Sequence, residues 1–224
     1  RCGVEGEWDD PYLTMNFESE AATVREFLRV AMGGRLVRGA KPVMWSPVER
    51  TALAEAEVEY HDRKVPVIWV KFPWTGTPYL GHQASRPDWV DEAKGASVVI
   101  WTTTPWTIPA NQAVSFNPDV SYSLFEVEEV ASAAELGFEP YAVSGERLVM
   151  ADKLADQVMD AAKVSKFKRV TEINPRDMIA VRHPFANAGW AGEFYNSQSI
   201  PLLSGLHVTD DAGTGFVHTA PAHG

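Results

Sequence analysis

The sequence has a single cysteine, Cys2, among its 224 residues. One thiol can form neither an internal disulfide nor a cysteine-based metal cluster, and this usage fits a reducing compartment. The chain also lacks any apolar run near the ~18 residues of a membrane-spanning helix, and its first residues do not resemble a signal peptide. We therefore expect a cytoplasmic protein without a membrane partner.

Basic residues are scarce as well. The 20 Lys and Arg residues stand against 30 Asp and Glu residues, which gives a formal net charge of -10. Affinity for phosphate backbones comes mainly from Lys and Arg, and an acidic chain repels nucleic acid at long range. The composition therefore argues against a free-standing nucleic-acid binder, while the 45% of hydrophobic residues suffice to bury a real core.

The familiar hydrolytic motifs are absent from the sequence, which contains no G-x-S-x-G elbow, no H-E-x-x-H and no P-loop. Cys2 lies at the start of the chain, where a structural or incidental role is favoured over a nucleophile. His218 and His223 are five residues apart after a predicted strand, and this spacing suits neither one helix face nor an obvious metal site. The sequence offers no carboxylate–histidine pair from which a general base could be assigned.

Hydrophobic spacing predicts few helices and many short strands. Apolar residues recur at helical spacing in residues 19–32, and helical patterning returns only in residues 151–162. Strict alternation predicts a strand at residues 54–60, although Ala and Glu favour helix. Further strands are predicted at residues 65–72, 97–103, 121–127, 141–150, 206–209 and 215–218.

This pattern is typical of a β-rich α+β domain, arranged as a small barrel or a folded-over sheet with a few peripheral helices. Proline and glycine are scattered as turn residues and are not concentrated in a linker. We expect one compact unit, in which residues 1–50 form an N-terminal helical appendage and residues 51–224 form the β-rich core.

Two polar segments have an unusual composition. Thr102, Thr103 and Thr104 end a β-branched strand, and the two prolines that follow prevent that strand from continuing. One interpretation is a strand edge that ends in a Pro-rich turn with its tryptophans in the core. The other is a polar ledge beside an aromatic wall, suited to a small amphiphilic group. Residues 213–224 have the same character, because glycines there let another backbone approach beside a histidine.

Both segments resemble the signature stretches of a known family. Residues 101–111, which read Trp-Thr-Thr-Thr-Pro-Trp-Thr-Ile-Pro-Ala-Asn, and residues 213–224 are similar to two stretches of the editing domain inserted in isoleucyl-tRNA synthetase. The resemblance extends to residues 11–15, 41–47 and 51–60, and it covers the whole chain. Leucyl and valyl enzymes typically carry Arg-Pro after the threonines, whereas Thr104-Pro105-Trp106-Thr107 resembles the isoleucyl form.

The resemblance implies a proofreading hydrolase domain of a class I aminoacyl-tRNA synthetase, the isoleucine–tRNA ligase. Such enzymes must reject valine, and a missing methylene is worth only about 1–3 kcal/mol in binding, so a second site hydrolyses Val-tRNA(Ile) and excludes isoleucine by size. An aminoacyl ester is already activated. Because oriented water and an oriented carbonyl can suffice for its hydrolysis, the missing nucleophile is explained.

Residue roles are implied by matching positions in the two stretches. The residues implied as catalytic, which contact the substrate or are needed for the site, are Thr102, Thr103, Thr104 and Asn111. Trp106 and His218 are implied to bind substrate by bounding the side-chain pocket. His218 is expected to be the steric wall against the larger amino acid.

Two departures from the family pattern bear on activity. The family motif continues beyond Gly224 to an Asp that binds the substrate's α-ammonium group, and this sequence ends before it. We therefore expect weak or no hydrolysis by the chain alone, and the alternative is a non-catalytic module that binds the aminoacylated acceptor end. Many relatives also carry C-x-x-C where this chain has Ser46-Pro47-Val48-Glu49, so neither zinc nor another cofactor is expected.

The implied partners are the 3′ end of tRNA(Ile) carrying valine and the remainder of the synthetase, with the chain itself monomeric. The dense basic cluster consists of Lys163, Lys166, Lys168 and Arg169. It is either the face nearest the tRNA or an ordinary solvated surface.

Overall fold

Contacts between residues divide the chain into two units, Arg1–Asp62 and Arg63–Gly224. The computed structural model describes residues 3, 5–41, 43–76, 86–186, 188–189, 192–196 and 198–223. Cys2, Pro42 and Gly224 therefore lie outside the described residues. The sequence boundary was expected after residue 50, whereas the division by contacts follows Asp62. Residues 51–52 pair with residues 45–46, and this pairing keeps them in the first unit.

The first unit contains helix α1 (Phe17–Met32) and a small antiparallel pair, β1 (Trp45–Ser46) and β2 (Thr51–Ala52). The Asn16 side chain caps α1 by accepting a hydrogen bond from Ser19 N at 2.8 Å. Acidic residues in the first turn and a basic residue in the last turn complement the helix dipole. The helix predicted at residues 19–32 is thus present and begins two residues earlier.

The strand predicted at residues 54–60 is wrong. Glu55–Glu57 form a single 3₁₀ turn, and the Glu57 carboxylate accepts a hydrogen bond from Ala54 N at 2.7 Å. Ala and Glu favour helical backbone, and no strand pairs with this segment among the described residues. Local propensity and capping therefore prevail over the alternation of side chains.

The second unit contains nine strands and three short helices within the described residues. In chain order the strands are β3 (Ile68–Pro73), β4 (Ser97–Thr102), β5 (Ala113–Phe116), β6 (Tyr122–Val130), β7 (Arg147–Ala151), β8 (Val164–Ile173), β9 (Ala180–Arg182), β10 (Ser199–Ser204) and β11 (Phe216–Thr219). The helices are α2 (Ala133–Leu136), α3 (Ala155–Ala161) and α4 (Gly192–Asn196). None of the helices in the described part of the chain is long and apolar enough to cross a membrane.

These strands form two sheets. The five-stranded sheet has the order β3-β4-β7-β6-β8 and is antiparallel except where β4 pairs with β7. The four-stranded sheet has the order β11-β5-β10-β9, with β10 parallel to β5. One hydrophobic cluster includes residues of both sheets, among them Phe72, Ile100, Val114 and Phe216. The predicted β-rich α+β class is confirmed, and no closed barrel is present in the described ranges.

Several strand predictions need correction. Residues 206–209 do not form a strand, because the chain turns after Gly205. Gly205 N donates a hydrogen bond to Phe116 O at 2.8 Å, and Val208 N donates one to Gly205 O, which closes the turn. Of residues 141–150, only the part from Arg147 onward is extended strand. The helical pattern at residues 151–162 becomes a 3₁₀ turn followed by α3. Strands β5, β8, β9 and β10 were not anticipated.

Candidate functional site

The threonine segment begins where β4 ends. Thr102 is the buried last residue of β4, and its Oγ1 accepts a hydrogen bond from Thr104 N at 3.1 Å. The hydroxyl oxygens of Thr102 and Thr104 lie 3.2 Å apart. Thr103 lies between them and is half-buried. The Thr102 hydroxyl thus satisfies the Thr104 N–H where the strand ladder ends, and two hydroxyls meet at the strand end.

A 3₁₀ segment, Pro105–Ala110, follows the threonines. Its two prolines have no N–H, so the segment has few internal backbone bonds. Thr107 N donates to Thr104 O at 3.0 Å, and Asn111 N donates to Ile108 O at 3.0 Å. The Thr107 hydroxyl also donates to Thr104 O, at 2.7 Å.

Strand pairing brings His218 to this segment. Strand β5 begins just after Asn111, and β11 pairs with it so that His218 lies opposite Val114. The Nε2 atom of His218 is 2.6 Å from Thr107 Oγ1, and its Nδ1 atom is 2.9 Å from Asn111 Nδ2. The two signature stretches, far apart in sequence, therefore share one buried hydrogen-bonded network.

The network defines the proton positions on His218. An amide nitrogen can only donate, so His218 Nδ1 accepts from Asn111 and carries no proton. The Thr107 hydroxyl donates its one hydrogen to Thr104 O. Its oxygen therefore accepts the hydrogen bond from His218 Nε2–H. His218 is therefore a neutral imidazole in the Nε2–H tautomer, with both ring nitrogens engaged by the protein.

Burial supports this neutral state. His218 is only 5% exposed. Burial lowers the pKa of His218, and repulsion from His223 or His183, when either ring is protonated, acts in the same direction. Protonation at Nδ1 would also set two donors against each other at the Asn111 amide. His218 is thus held at both ring nitrogens and is poorly placed to accept a proton.

Asn111 is the junction of the network. Its Nδ2 atom approaches Ala113 O at 2.8 Å and Thr219 O at 3.3 Å, in addition to His218 Nδ1. Its Oδ1 atom is buried without a hydrogen-bond partner in the described protein. Three acceptors surround one NH₂ group, which fixes the orientation of the amide and, through it, of the imidazole.

The six residues predicted for the site do not all have the same environment. The structure links the side chains of Thr102, Thr104, Asn111 and His218 through Thr107, and Thr103 adjoins them in the chain. Trp106 is 65% exposed and cannot be a core residue. Of the two interpretations of this segment, the one that buries both tryptophans is wrong for Trp106. Whether each residue contacts a substrate stays a prediction.

Sequence reasoning missed Thr107, which is central to the network. It also missed His183 and Tyr195, which bond the 3₁₀ segment. Thr107 is 4% exposed and bonds both His218 and the Thr104 carbonyl. The only local signal for Thr107 was a threonine between two prolines, three residues after Thr104. His183 and Tyr195 also bond this segment, and no local pattern in the sequence connects them to it.

A separate apolar cavity of about 280 Å³ lies between α3 and strands β3, β4 and β7. Its wall includes the ion pair between Lys71 and Glu146, whose atoms are 2.6 Å apart. Its lining residues do not include any of the threonines or His218. The network and the cavity are therefore two different features of the fold.

The predicted basic cluster is largely neutralised by neighbouring acids. Lys166 pairs with Glu128 at 3.1 Å, and Lys168 pairs with Glu126 at 3.1 Å across the β6–β8 ladder. Arg169 contacts Asp152 at 3.4 Å. Hydrogen bonding to Lys168 lowers the pKa of the Glu126 carboxyl. Such pairing is typical of a solvated sheet face, and a role in approaching tRNA stays a hypothesis.

Among the described residues, no group of three or more His, Cys, Asp or Glu side chains could hold a metal ion. The expectation of no zinc and no other cofactor stays a prediction.

The chain is similar to known proteins of one family. The family model for tRNA synthetases class I (I, L, M and V) matches residues 1–180, which is most of the chain. The chain belongs to this class I tRNA synthetase family. The resemblance to a synthetase family is thereby confirmed for the range that holds the threonine stretch, while the histidine stretch lies beyond residue 180.

Over its whole length, this class I synthetase chain is 54% identical to isoleucine--tRNA ligase of Caulobacter vibrioides. It is 50% identical over 226 residues to isoleucine--tRNA ligase of Agrobacterium fabrum. In each case it spans 21% of the relative, so the chain corresponds to about a fifth of these ligases.

Two solved structures are also similar to this class I chain. The crystal structure of GlLeuRS-CP1 matches with a TM-score of 0.46 and 17% identity, covering 70% of this chain and 55% of that one. The crystal structure of the Plasmodium falciparum cytosolic leucyl-tRNA synthetase editing domain in space group P21 matches with a TM-score of 0.43 and 10% identity. It covers 69% of this chain and 60% of that one.

Proposed function

We propose that this chain is the editing domain of an isoleucine–tRNA ligase and that, within the intact ligase, it hydrolyses the ester bond of Val-tRNA(Ile). The full-length similarity to isoleucine--tRNA ligases supports the parent enzyme. The observation that carries the proposal is the 2.6 Å contact between Thr107 and His218, which joins the two distant signature stretches into one buried site. The convergence of the Thr102, Thr104 and Thr107 hydroxyls beside an imidazole bonded at both nitrogens supports the proposal.

Discrimination between isoleucine and valine is the standard case in which binding alone is insufficient. The general figure for one missing methylene is about 1–3 kcal/mol, so a second, hydrolytic selection is required. A site that rejects the larger side chain needs a rigid steric boundary. His218 suits this role, because its ring is held at both nitrogens and cannot rotate without breaking two hydrogen bonds.

The chemistry proposed for the site requires orientation and no covalent intermediate. The Thr102 and Thr104 hydroxyls, 3.2 Å apart, are suited to bind the ester carbonyl and an attacking water. His218 does not act as the general base in this proposal, because neither ring nitrogen is free to take a proton. The orienting groups therefore act by positioning an ester that is already activated.

The partners in this proposal are the 3′ end of tRNA(Ile) carrying valine and the remainder of the ligase, in the cytoplasm. The net charge of -10 and the acid-paired lysines of β8 disfavour tight tRNA binding by this chain alone. Most phosphate contacts would then belong to the rest of the ligase. The chain acts as a monomer, without a cofactor.

The test is a deacylation assay with Val-tRNA(Ile) and Ile-tRNA(Ile), using the 224-residue chain and the intact ligase. Hydrolysis of the valine ester with protection of the isoleucine ester is expected in the intact ligase. Binding of Val-tRNA(Ile) without hydrolysis in either form would support the non-catalytic alternative. Absence of both binding and hydrolysis of Val-tRNA(Ile) in the intact ligase would refute the proposal.

His218→Ala in the intact ligase tests the steric wall. Enlarging the boundary should allow Ile-tRNA(Ile) to be hydrolysed, by at least about tenfold over the parent, since one methylene is worth about 1–3 kcal/mol. His223→Ala is the matched control, because His223 is an exposed histidine of the same stretch. Full protection of Ile-tRNA(Ile) in His218→Ala would exclude the wall role.

A further inference from the structure

A second buried histidine lies behind the 3₁₀ segment. His183 follows β9 and is 1% exposed. Its Nδ1 atom accepts a hydrogen bond from Phe185 N at 3.1 Å, and its Nε2 atom is 2.9 Å from Ile108 O. A backbone N–H can only donate and a carbonyl can only accept, so His183 is also a neutral Nε2–H imidazole.

Tyr195, from α4, reinforces the same contact. Its ring stacks on the His183 imidazole with centroids 4.1 Å apart and planes 17° from parallel. Its hydroxyl donates to Pro109 O at 3.0 Å. His183 and Tyr195 therefore bind two consecutive carbonyls, those of Ile108 and Pro109.

The 3₁₀ segment needs such external support. Pro105 and Pro109 cannot donate, so the segment has few backbone bonds of its own, and 3₁₀ hydrogen bonds have poor geometry. The two side chains that bond His218 come from Thr107, which directly precedes Ile108, and from Asn111, the C-cap residue two positions after Pro109. Any shift of these two carbonyls would therefore move both side chains that hold His218.

Burial keeps His183 neutral. Loss of solvation on burial lowers the pKa of His183, although its bond to the Ile108 carbonyl opposes this shift. The imidazole is thus a permanent donor to that carbonyl near neutral pH, and it is not used by the proposed chemistry.

We propose that His183 is a positioning residue of the threonine site. Together with Tyr195 it holds the Ile108 and Pro109 carbonyls and thereby fixes Thr107 and Asn111 against His218. The inference rests on the proposed function, since its kinetic readout is hydrolysis of Val-tRNA(Ile).

The kinetic test uses His183→Phe in the intact ligase. The variant keeps an aromatic ring on Tyr195 but removes the donor to Ile108 O. We expect kcat for Val-tRNA(Ile) hydrolysis to fall by about tenfold or more, with KM changed by less than about twofold, since small misplacements cost rate more than binding. His183→Gln restores an N–H donor and should recover most of kcat. His207→Phe is the matched control, because His207 is exposed.

A spectroscopic readout separates positioning from general destabilisation. In the 224-residue chain, nitrogen NMR of His218 should give a protonated Nε2 and an unprotonated Nδ1. His183→Phe should shift both His218 signals toward a mixture of tautomers, and His183→Gln should restore them. A merely structural role would lower the unfolding midpoint without moving these signals in the folded protein.

The inference can be overturned by the kinetics or by the NMR signals. A folded His183→Phe ligase with unchanged kcat, or unchanged His218 signals, overturns the inference. If His183→Phe does not fold, Tyr195→Phe decides, because it removes only the hydroxyl bond to Pro109 O. An about threefold fall in kcat is then expected, and an unchanged kcat overturns the inference. If the unmodified ligase does not hydrolyse Val-tRNA(Ile), the proposed function fails, while the NMR signals still test the positioning.

Discussion

Gly215 occupies a position where a side chain would meet the end of β7. Its φ is +78°, and a Cβ atom there would overlap Ala151 Cβ and lie 3.1 Å from Tyr122 Cε1. The Tyr122 hydroxyl in turn donates to Gly215 O at 2.6 Å. Gly215→Ala should therefore strain the backbone three residues before His218.

The expected cost has two parts. Placing Ala in the left-handed region costs about 1–2 kcal/mol, partly offset by about 0.4–1 kcal/mol from the stiffer unfolded chain. Overpacking against Ala151 adds about 1–3 kcal/mol. We expect Gly215→Ala to lower the free energy of unfolding by about 2–4 kcal/mol, measured by urea denaturation with a constant m-value.

Gly137 provides the matched control, because its φ is +76° and nothing lies within 4 Å of a Cβ placed there. Gly137→Ala should thus cost only the backbone part, about 1 kcal/mol or less. Ala151→Gly should partly rescue Gly215→Ala, with a coupling of about 1 kcal/mol or more. Equal costs at Gly215 and Gly137, or no coupling to Ala151, would refute the close approach.

Three further predictions concern buried polar groups. Thr107→Val should destabilise the chain by about 1–3 kcal/mol in urea, because it leaves the His218 Nε2–H without an acceptor, whereas Thr107→Ser should cost under about 1 kcal/mol. Burial lowers the pKa values of His183 and His218. Since the folded state then binds fewer protons, the free energy of unfolding should be constant above about pH 6.5 and fall below it, by at most about 1.4 kcal/mol per unit of depression. A urea series from pH 7.5 to 5 with no decline would contradict this. Tyr122→Phe should cost about 1–3 kcal/mol by leaving Gly215 O unpaired, and a change under about 0.5 kcal/mol would contradict that bond.

Elements with a strong local period were predictable from the sequence. Helix α1 and strands β3, β4 and β11 lie close to their predicted positions, because apolar spacing and terminal signals agree there. Strand β8 was missed because its register shifts against β6 interrupt the alternation of side chains. Strands as short as β5 and β9 carry too few residues for a period to be recognised.

The candidate site was only partly predictable for a related reason. The threonines and His218 were identified through their resemblance to a family, whereas their mutual geometry depends on the pairing of β5 with β11. Thr107 and His183 were missed because each acts through a partner distant in sequence. Long-range hydrogen bonds of this kind leave no periodic trace in a single sequence.

The separation of 111 residues between Thr107 and His218 also has a consequence for folding. Strand β5 is synthesised long before β10 and β11, which cover its two edges. Closing such long loops is slow, and until then the apolar Ala-Val-Ser-Phe strand presents unpaired backbone groups to other chains. During synthesis, the threonine segment therefore cannot bond its histidine partner until residue 218 has been made, and until then the edges of β5 remain open to pairing with other chains.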